Sequence, residues 1–137
     1  MTNEPSADDP LRELLVDATA VDRDAIAAAL RGRIGIDSRS GRLVLSPTYN
    51  DLDARRKVLS ILLARKAALL LKLAESEAVA NKEVAELTGL PSGTSAPSLK
   101  SLRELRLVSQ DASKAYYIPN AQLRNAIEFI NTGREGS

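Results

Sequence analysis

The residues of this chain best suited to chemistry cluster in "PSGTSAPSLKS", residues 91–101. Ser92, Thr94 and Ser101 supply hydroxyls, Lys100 a single cation, and Pro97 interrupts them. Hydroxyls with no base beside them are poor nucleophiles but good donors to phosphate oxygens. The chain contains no histidine and no cysteine, which removes the usual general base, the thiolate nucleophile and the commonest metal ligands. The acidic pairs in "DRD", "DLD" and "ESE" fall at expected helix ends, where capping and the helix dipole account for them. Gly32, Gly35 and Gly41 do not form a phosphate-cradling loop, and "GLPSGTS" lacks the lysine and spacing of a P-loop. The expectation is a binding protein: no enzymatic activity, no catalytic residue, no cofactor and no metal.

Other cations offer weaker candidates. Arg55, Arg56 and Lys57 in "DARRKV" stand at the start of an expected helix, able to meet phosphates or simply to be solvated. Arg65, Lys66 and Lys72 read as a narrow solvated strip on that same helix. Net charge is only +1, so the chain as a whole carries no polyanion-binding signal.

The elements that must position these residues follow from periodicity. At 137 residues, 44% hydrophobic and 3% aromatic, the chain suits a Leu-, Ile- and Ala-built helical core. Residues 1–10 are expected to be a disordered, acidic lead, unlike a signal or transit peptide. Residues 11–50 read as an N-terminal extension. It holds a short helix with Leu11, Leu14 and Leu15 on one face, then a helix capped by Asp22 or Asp24, then a hairpin whose strands flank "DSRSG". A helix over 51–76 follows, capped by Asn50, Asp51 or Asp53, with apolar residues over more than half its circumference. Such a helix needs partners on two sides. "NKEVAELTGL" predicts a helix capped by Asn81 and ended by Gly89. A second helix, capped by Ser92 or Thr94, buries Leu99, Leu102 and Leu105, with Pro97 in its first turn. "RLVSQDASKAYYIP" predicts a hairpin over 109–117 whose turn offers Lys114. Residues 120–137 predict a last helix capped by Asn120, with Leu123, Ile127 and Ile130 on its stripe, Phe129 flanking, and a tail.

Residues 54–119, about half of the chain, resemble the winged helix-turn-helix superfamily of archaeal and bacterial transcription regulators. "EVAELTGLPSGTSAPSLKSLRELRLV" carries the likeness, particularly "VAELTGL" followed by "LKSLRELRLV". The resemblance implies a mainly α fold with small β-hairpins: a winged helix-turn-helix over 51–119, with the N-terminal helix–hairpin extension and the C-terminal helix around it. It implies that helix 94–105 enters the major groove of double-stranded DNA and that wing 109–117 touches the backbone. Carried onto this sequence, the DNA-binding residues would be Ser92, Thr94, Pro97, Lys100, Ser101 and Lys114, joined by Arg55 and Arg56. A homodimer through helix 51–76 or the C-terminal helix, no membrane segment, and a cytoplasmic transcription regulator complete the expectation. The alternative is a protein-interaction adaptor that uses the same fold for docking without DNA.

Overall fold

The computed structural model describes residues 9–15 and 21–133. Most of the expected lead at 1–10, residues 16–20 of the expected first helix, and the tail from 134 lie outside them. Among the described residues the fold is mainly helical, with two small antiparallel hairpins. Pro10–Leu14 is a 3-10 turn whose Leu11 amide is capped by the Asp9 carboxylate at 2.9 Å. Leu11, Leu14 and Leu15 are exposed there, so among the described residues the expected leucine face is not buried.

Helix α1, Arg23–Leu30, is capped by Asp22, which accepts from the Ala25 amide at 3.0 Å. Ile26, Ala29 and Leu30 form its buried stripe. The hairpin of β1 (Ile34–Ile36) and β2 (Leu43–Leu45) pairs Ile34 with Leu45 and Ile36 with Leu43. The Asp37 carboxylate closes its turn by accepting from the Ser40 amide and hydroxyl. A 3-10 turn, Pro47–Asp51, then buries Tyr49, whose hydroxyl donates to the Thr88 carbonyl at 3.1 Å. Burial, with no charged partner, pushes that phenol's pKa up.

Helix α2, Ala54–Leu70, is capped by Asp53 and is the centre of the molecule. Val58, Leu59, Ile61, Leu62 and Leu63 have no exposed surface. Its neighbours are α1, β1, α3 (Asn81–Thr88), α4 (Ser92–Glu104), β4 (Tyr116–Tyr117) and α5 (Leu123–Thr132). The two-sided cover that its apolar surface demands therefore comes from the chain itself. A second copy expected on this helix or on α5 would meet faces already packed: Leu123, Ala126, Phe129 and Ile130 of α5 are buried.

The structure corrects several details. The helix expected to reach Ser76 stops at Leu70, and Lys72 adopts φ 61°. The Leu73 amide bonds back to the Ala68 carbonyl at 2.8 Å, reversing the chain without a glycine. That reversal delivers Val79 to Tyr116, where two backbone hydrogen bonds of 2.8 Å form an isolated bridge. Asn81 does not cap α3, because it already lies inside the helix after Ala80. Phe129 belongs to the buried stripe of α5, and Ile127 is the half-buried flank.

The largest correction is Lys66. It is buried, with 2% of its surface exposed. Its ammonium lies 2.7 Å from Glu77 Oε1 and donates to Asn120 Oδ1 at 2.6 Å. Asn120 therefore serves this contact and caps no helix; a 3-10 turn, Asn120–Gln122, leads into α5. The pairing ties α2 to the 71–80 connector and to the start of α5. Removing one member of a buried pair leaves the other charge uncompensated. Lys66→Ala is expected to lower the unfolding free energy by about 3 kcal/mol, read by urea denaturation. Combining Lys66→Met with Glu77→Gln should restore most of it, and a loss below about 1 kcal/mol for Lys66→Ala would show the ammonium to be solvated.

Candidate functional site

Helix α4 starts one residue after Leu90 and Pro91, with Pro91 as its N-cap and no side chain capping it. The Pro91 carbonyl accepts from the Thr94 and Ser95 amides, both at 2.9 Å. The amides of Ser92 and Gly93 are left as the free donors of the first turn. Ser95, Ser98, Leu99 and Leu102 are buried against the body. Small residues at 95 and 98 let α3 and α4 approach, and the Ser98 hydroxyl turns back onto the Thr94 carbonyl at 2.8 Å. At 100° per residue this buried stripe leaves Gly93, Pro97, Lys100 and Glu104 on the outermost ridge, and all four are exposed.

Pro97 departs from expectation. It is the sixth residue of the helix, in the second turn. There the missing N–H removes the bond to the Gly93 carbonyl, and the ring crowds that carbonyl. The helix keeps its course but loses stability.

The hairpin of β3 (Ser109–Gln110) and β4 turns through residues 111–115. The Asp111 carboxylate holds this turn, accepting from the Ser113 amide at 2.9 Å, the Ser113 hydroxyl at 3.0 Å and the Ala115 amide at 3.0 Å. Those bonds, the Ala115 amide foremost and then the Ser113 hydroxyl, hold the Asp111 carboxyl below its ordinary pKa. Lys114 takes φ 66°, and its carbonyl accepts from Gln110 Nε2 at 3.1 Å. Its side chain is exposed at the hairpin tip.

The expected site residues thus divide. Ser92, Thr94, Pro97 and Lys100 lie exposed along α4, and Lys114 lies on the hairpin turn. Ser101 is half-buried and accepts from Arg55 Nη1 at 3.2 Å. The Arg55 guanidinium also stacks 5.0 Å from the centre of the Phe129 ring. Arg56 donates to the Ile130 carbonyl at 2.7 Å and to the Asn131 carbonyl at 3.4 Å, at the C-terminal end of α5. Both arginines hold helices together. Arg65 pairs with Glu83 at 3.0 Å, leaving Lys72 as the exposed member of the expected strip.

The sequence pattern does not single out two further cations, Arg103 and Arg106. Both are exposed, and no ion pair or side-chain hydrogen bond among the described residues engages them. Their signal was faint because Leu99, Leu102 and Leu105 drew the buried stripe too far round. Leu105 is only half-buried, and the true stripe runs through Ser95 and Ser98. Among the described residues no helix is long and apolar enough to cross a membrane. Comparison with protein-family models, curated proteins and solved structures returns no match.

Two measurements follow from this geometry. Pro97→Ala should stabilise the protein by about 2 kcal/mol, read by chemical denaturation, because it restores an interior helix bond. No gain would mean that α4 begins closer to Pro97. For Asp111, a folded pKa below the unfolded value near 3.9 gives stability that is present above that value. It is lost as pH falls through the folded pKa. Protection of the Ser113 and Ala115 amides from hydrogen exchange should accordingly collapse only below about pH 4, and Asp111→Ala should abolish it at neutral pH.

Proposed function

We propose that residues 54–119 are a winged helix-turn-helix that binds duplex DNA, with α4 facing the major groove and the β3–β4 turn facing the backbone. The observation that carries this reading is the Val79–Tyr116 bridge, with 2.8 Å hydrogen bonds in both directions. This one-residue bridge ties the segment before α3 to β4 of the hairpin, within the order α2, bridge, α3, α4, β3, β4. Val79 lies two residues before α3, so the pairing holds the hairpin to the helix pair. Within that order α4 offers an outward ridge of Gly93, Pro97, Lys100 and Glu104, beside the exposed Thr94, and the hairpin offers Lys114; the Glu104 carboxylate at the far end of the ridge turns the groove-facing contact towards its N-terminal turns.

The chemistry of the ridge sets what such a site can do. Gly93 and Pro97 add little bulk, so the first two turns can come close to a groove floor. Ser92 and Thr94 hydroxyls, with the free first-turn amides, suit phosphate oxygens. The exposed ridge carries no Arg, Asn or Gln, the side chains that make bidentate base contacts. Binding weighted towards the backbone is the consequence, and a role as a transcription regulator would need specificity from DNA shape or from further contacts. A second copy through α2 or α5 forms no part of the proposal, since their core faces are packed within the chain.

Titration of random duplex DNA at several salt concentrations tests it. Lys100→Ala and Lys114→Ala should each flatten the slope of log K against log salt by about 0.9. Absence of duplex binding at about 50 mM salt, a concentration at which counterion release strongly favours association, would sink the proposal and leave the docking-module reading in its place.

A further inference from the structure

Lys100 and Lys114 together account for two phosphate contacts. Two contacts give a salt slope of about −1.8, so binding would weaken only about tenfold between roughly 50 and 200 mM salt. A duplex-binding surface so lightly charged gains most from further cations, and the described residues contain a compact pair. Arg103 and Arg106 line one open groove of about 500 Å³, shared with Ser109 and Gln110 of β3 and with Gln122 at the start of α5. No acidic side chain lines it. Neither guanidinium has an ion pair or hydrogen-bond partner among the described residues, in contrast to Arg55, Arg56 and Arg65.

Two links place the groove beside the proposed DNA face, although neither Lys100 nor Lys114 lines it. Arg103 follows Lys100 by three residues on α4, a spacing that makes them neighbours on the helix. Arg106 follows in the turn after α4, and Gln110 links the groove to the hairpin tip through its 3.1 Å bond to the Lys114 carbonyl. Arg106 also stands at φ 65°, a left-handed position where glycine would fit without cost. The chain does place glycine at the comparable ends of α3 and α5, Gly89 and Gly133. A cation at a helix C-terminus is favoured by the dipole, as at Lys72, so the backbone angle alone marks no site. The shared groove, free of acids and lined by two unengaged guanidiniums, does.

We propose that Arg103 and Arg106 form a phosphate clamp for the backbone of bound duplex DNA, extending the contact from α4 past its C-terminal end towards the hairpin. Arginine suits the role because its planar fork presents two parallel donors to a phosphate. The clamp rests on the winged-helix reading and deepens it: the DNA backbone then tracks along Lys100, Arg103, Arg106 and Lys114. The uncharged N-terminal turn of α4 stands at the other end of that track.

The salt slope distinguishes the two readings. With four contacts the full chain should show a slope of about −3.6, a loss of about 150-fold between roughly 50 and 200 mM. Arg103→Gln with Arg106→Gly should bring the slope back to about −1.8. Arg106→Gly relieves the left-handed backbone, so the variant is expected to stay folded, checked by circular dichroism. Arg103→Lys with Arg106→Lys should keep most of the slope, since the charges remain. Arg39→Gln with Arg42→Gln, which removes the same net charge from the β1–β2 turn, should leave it unchanged. A wild-type slope near −1.8 that the Arg103/Arg106 variant does not alter would overturn the clamp while leaving DNA binding standing. Equal flattening by the Arg39/Arg42 variant would overturn it in favour of a general charge effect. No duplex binding by the wild type would overturn both readings. Pyrophosphate is the probe for the other source of the same chemistry. Protection of Arg103 and Arg106 by pyrophosphate, with duplex affinity indifferent to their loss, would reassign the groove to a free phosphorylated ligand.

Discussion

Lys66 keeps its ammonium inside the protein because Glu77 and Asn120 both reach it, at 2.7 and 2.6 Å. That small cluster follows from the burial of α2. A helix packed against four helices and two strands has no wet face for a lysine to occupy. The charge must then be answered from within, and isolated burial would be prohibitive. Glu77 can answer only if α2 ends early and the connector folds back. Asn120 can answer only if α5 starts after a turn. The reversal at Leu71–Leu73, the bridge at Val79 and the placement of α5 all agree with this one contact.

The same logic sorts the remaining cations. Arg55 and Arg56 stand where the first turn of α2 passes the end of α5, so they stack on Phe129 and cap carbonyls at 130 and 131. Arg65 meets Glu83 across the α2–α3 contact. These positions look alike in sequence to Lys100, Arg103 and Arg106, yet they differ physically. The first group faces packed neighbours with carbonyls or carboxylates to meet. The second faces water. A net charge of +1 conceals this division, because the cations engaged internally and the cations left outward sit in different parts of the molecule.

Both hairpins rely on a carboxylate at the head of the turn. Asp37 and Asp111 accept from amides and a serine hydroxyl two to four residues ahead, which fixes a tight reversal between strands of only two or three residues. Strands so short carry little ladder of their own, so the turn chemistry supplies much of the local order. In the β3–β4 hairpin that order also fixes Lys114 at the tip, where a loose turn would let it wander.

The sequence by itself determined the mainly helical character, the two hairpins and the order of elements. Local signals carried each of these: Asp22 and Asp53 at helix starts, Gly32 and Gly89 at helix ends, and period-two runs around "DSRSG" and "DASK". It also marked Lys100 and Lys114 as outward cations, because a buried stripe one turn away implies its opposite face. Tertiary structure alone decided where α2 stops, since "LLLKLAESEA" holds neither glycine nor proline as a stop signal and the reversal depends on what Val79 and Glu77 reach. It decided that Lys66 is inside, that Asn120 serves it, and that Arg55 and Arg56 are engaged. It decided, too, that Arg103 and Arg106 share one groove. A residue's type and helical phase state which way it points, but only the neighbours that arrive from distant parts of the chain determine whether a charge finds a partner or is left to bind something else.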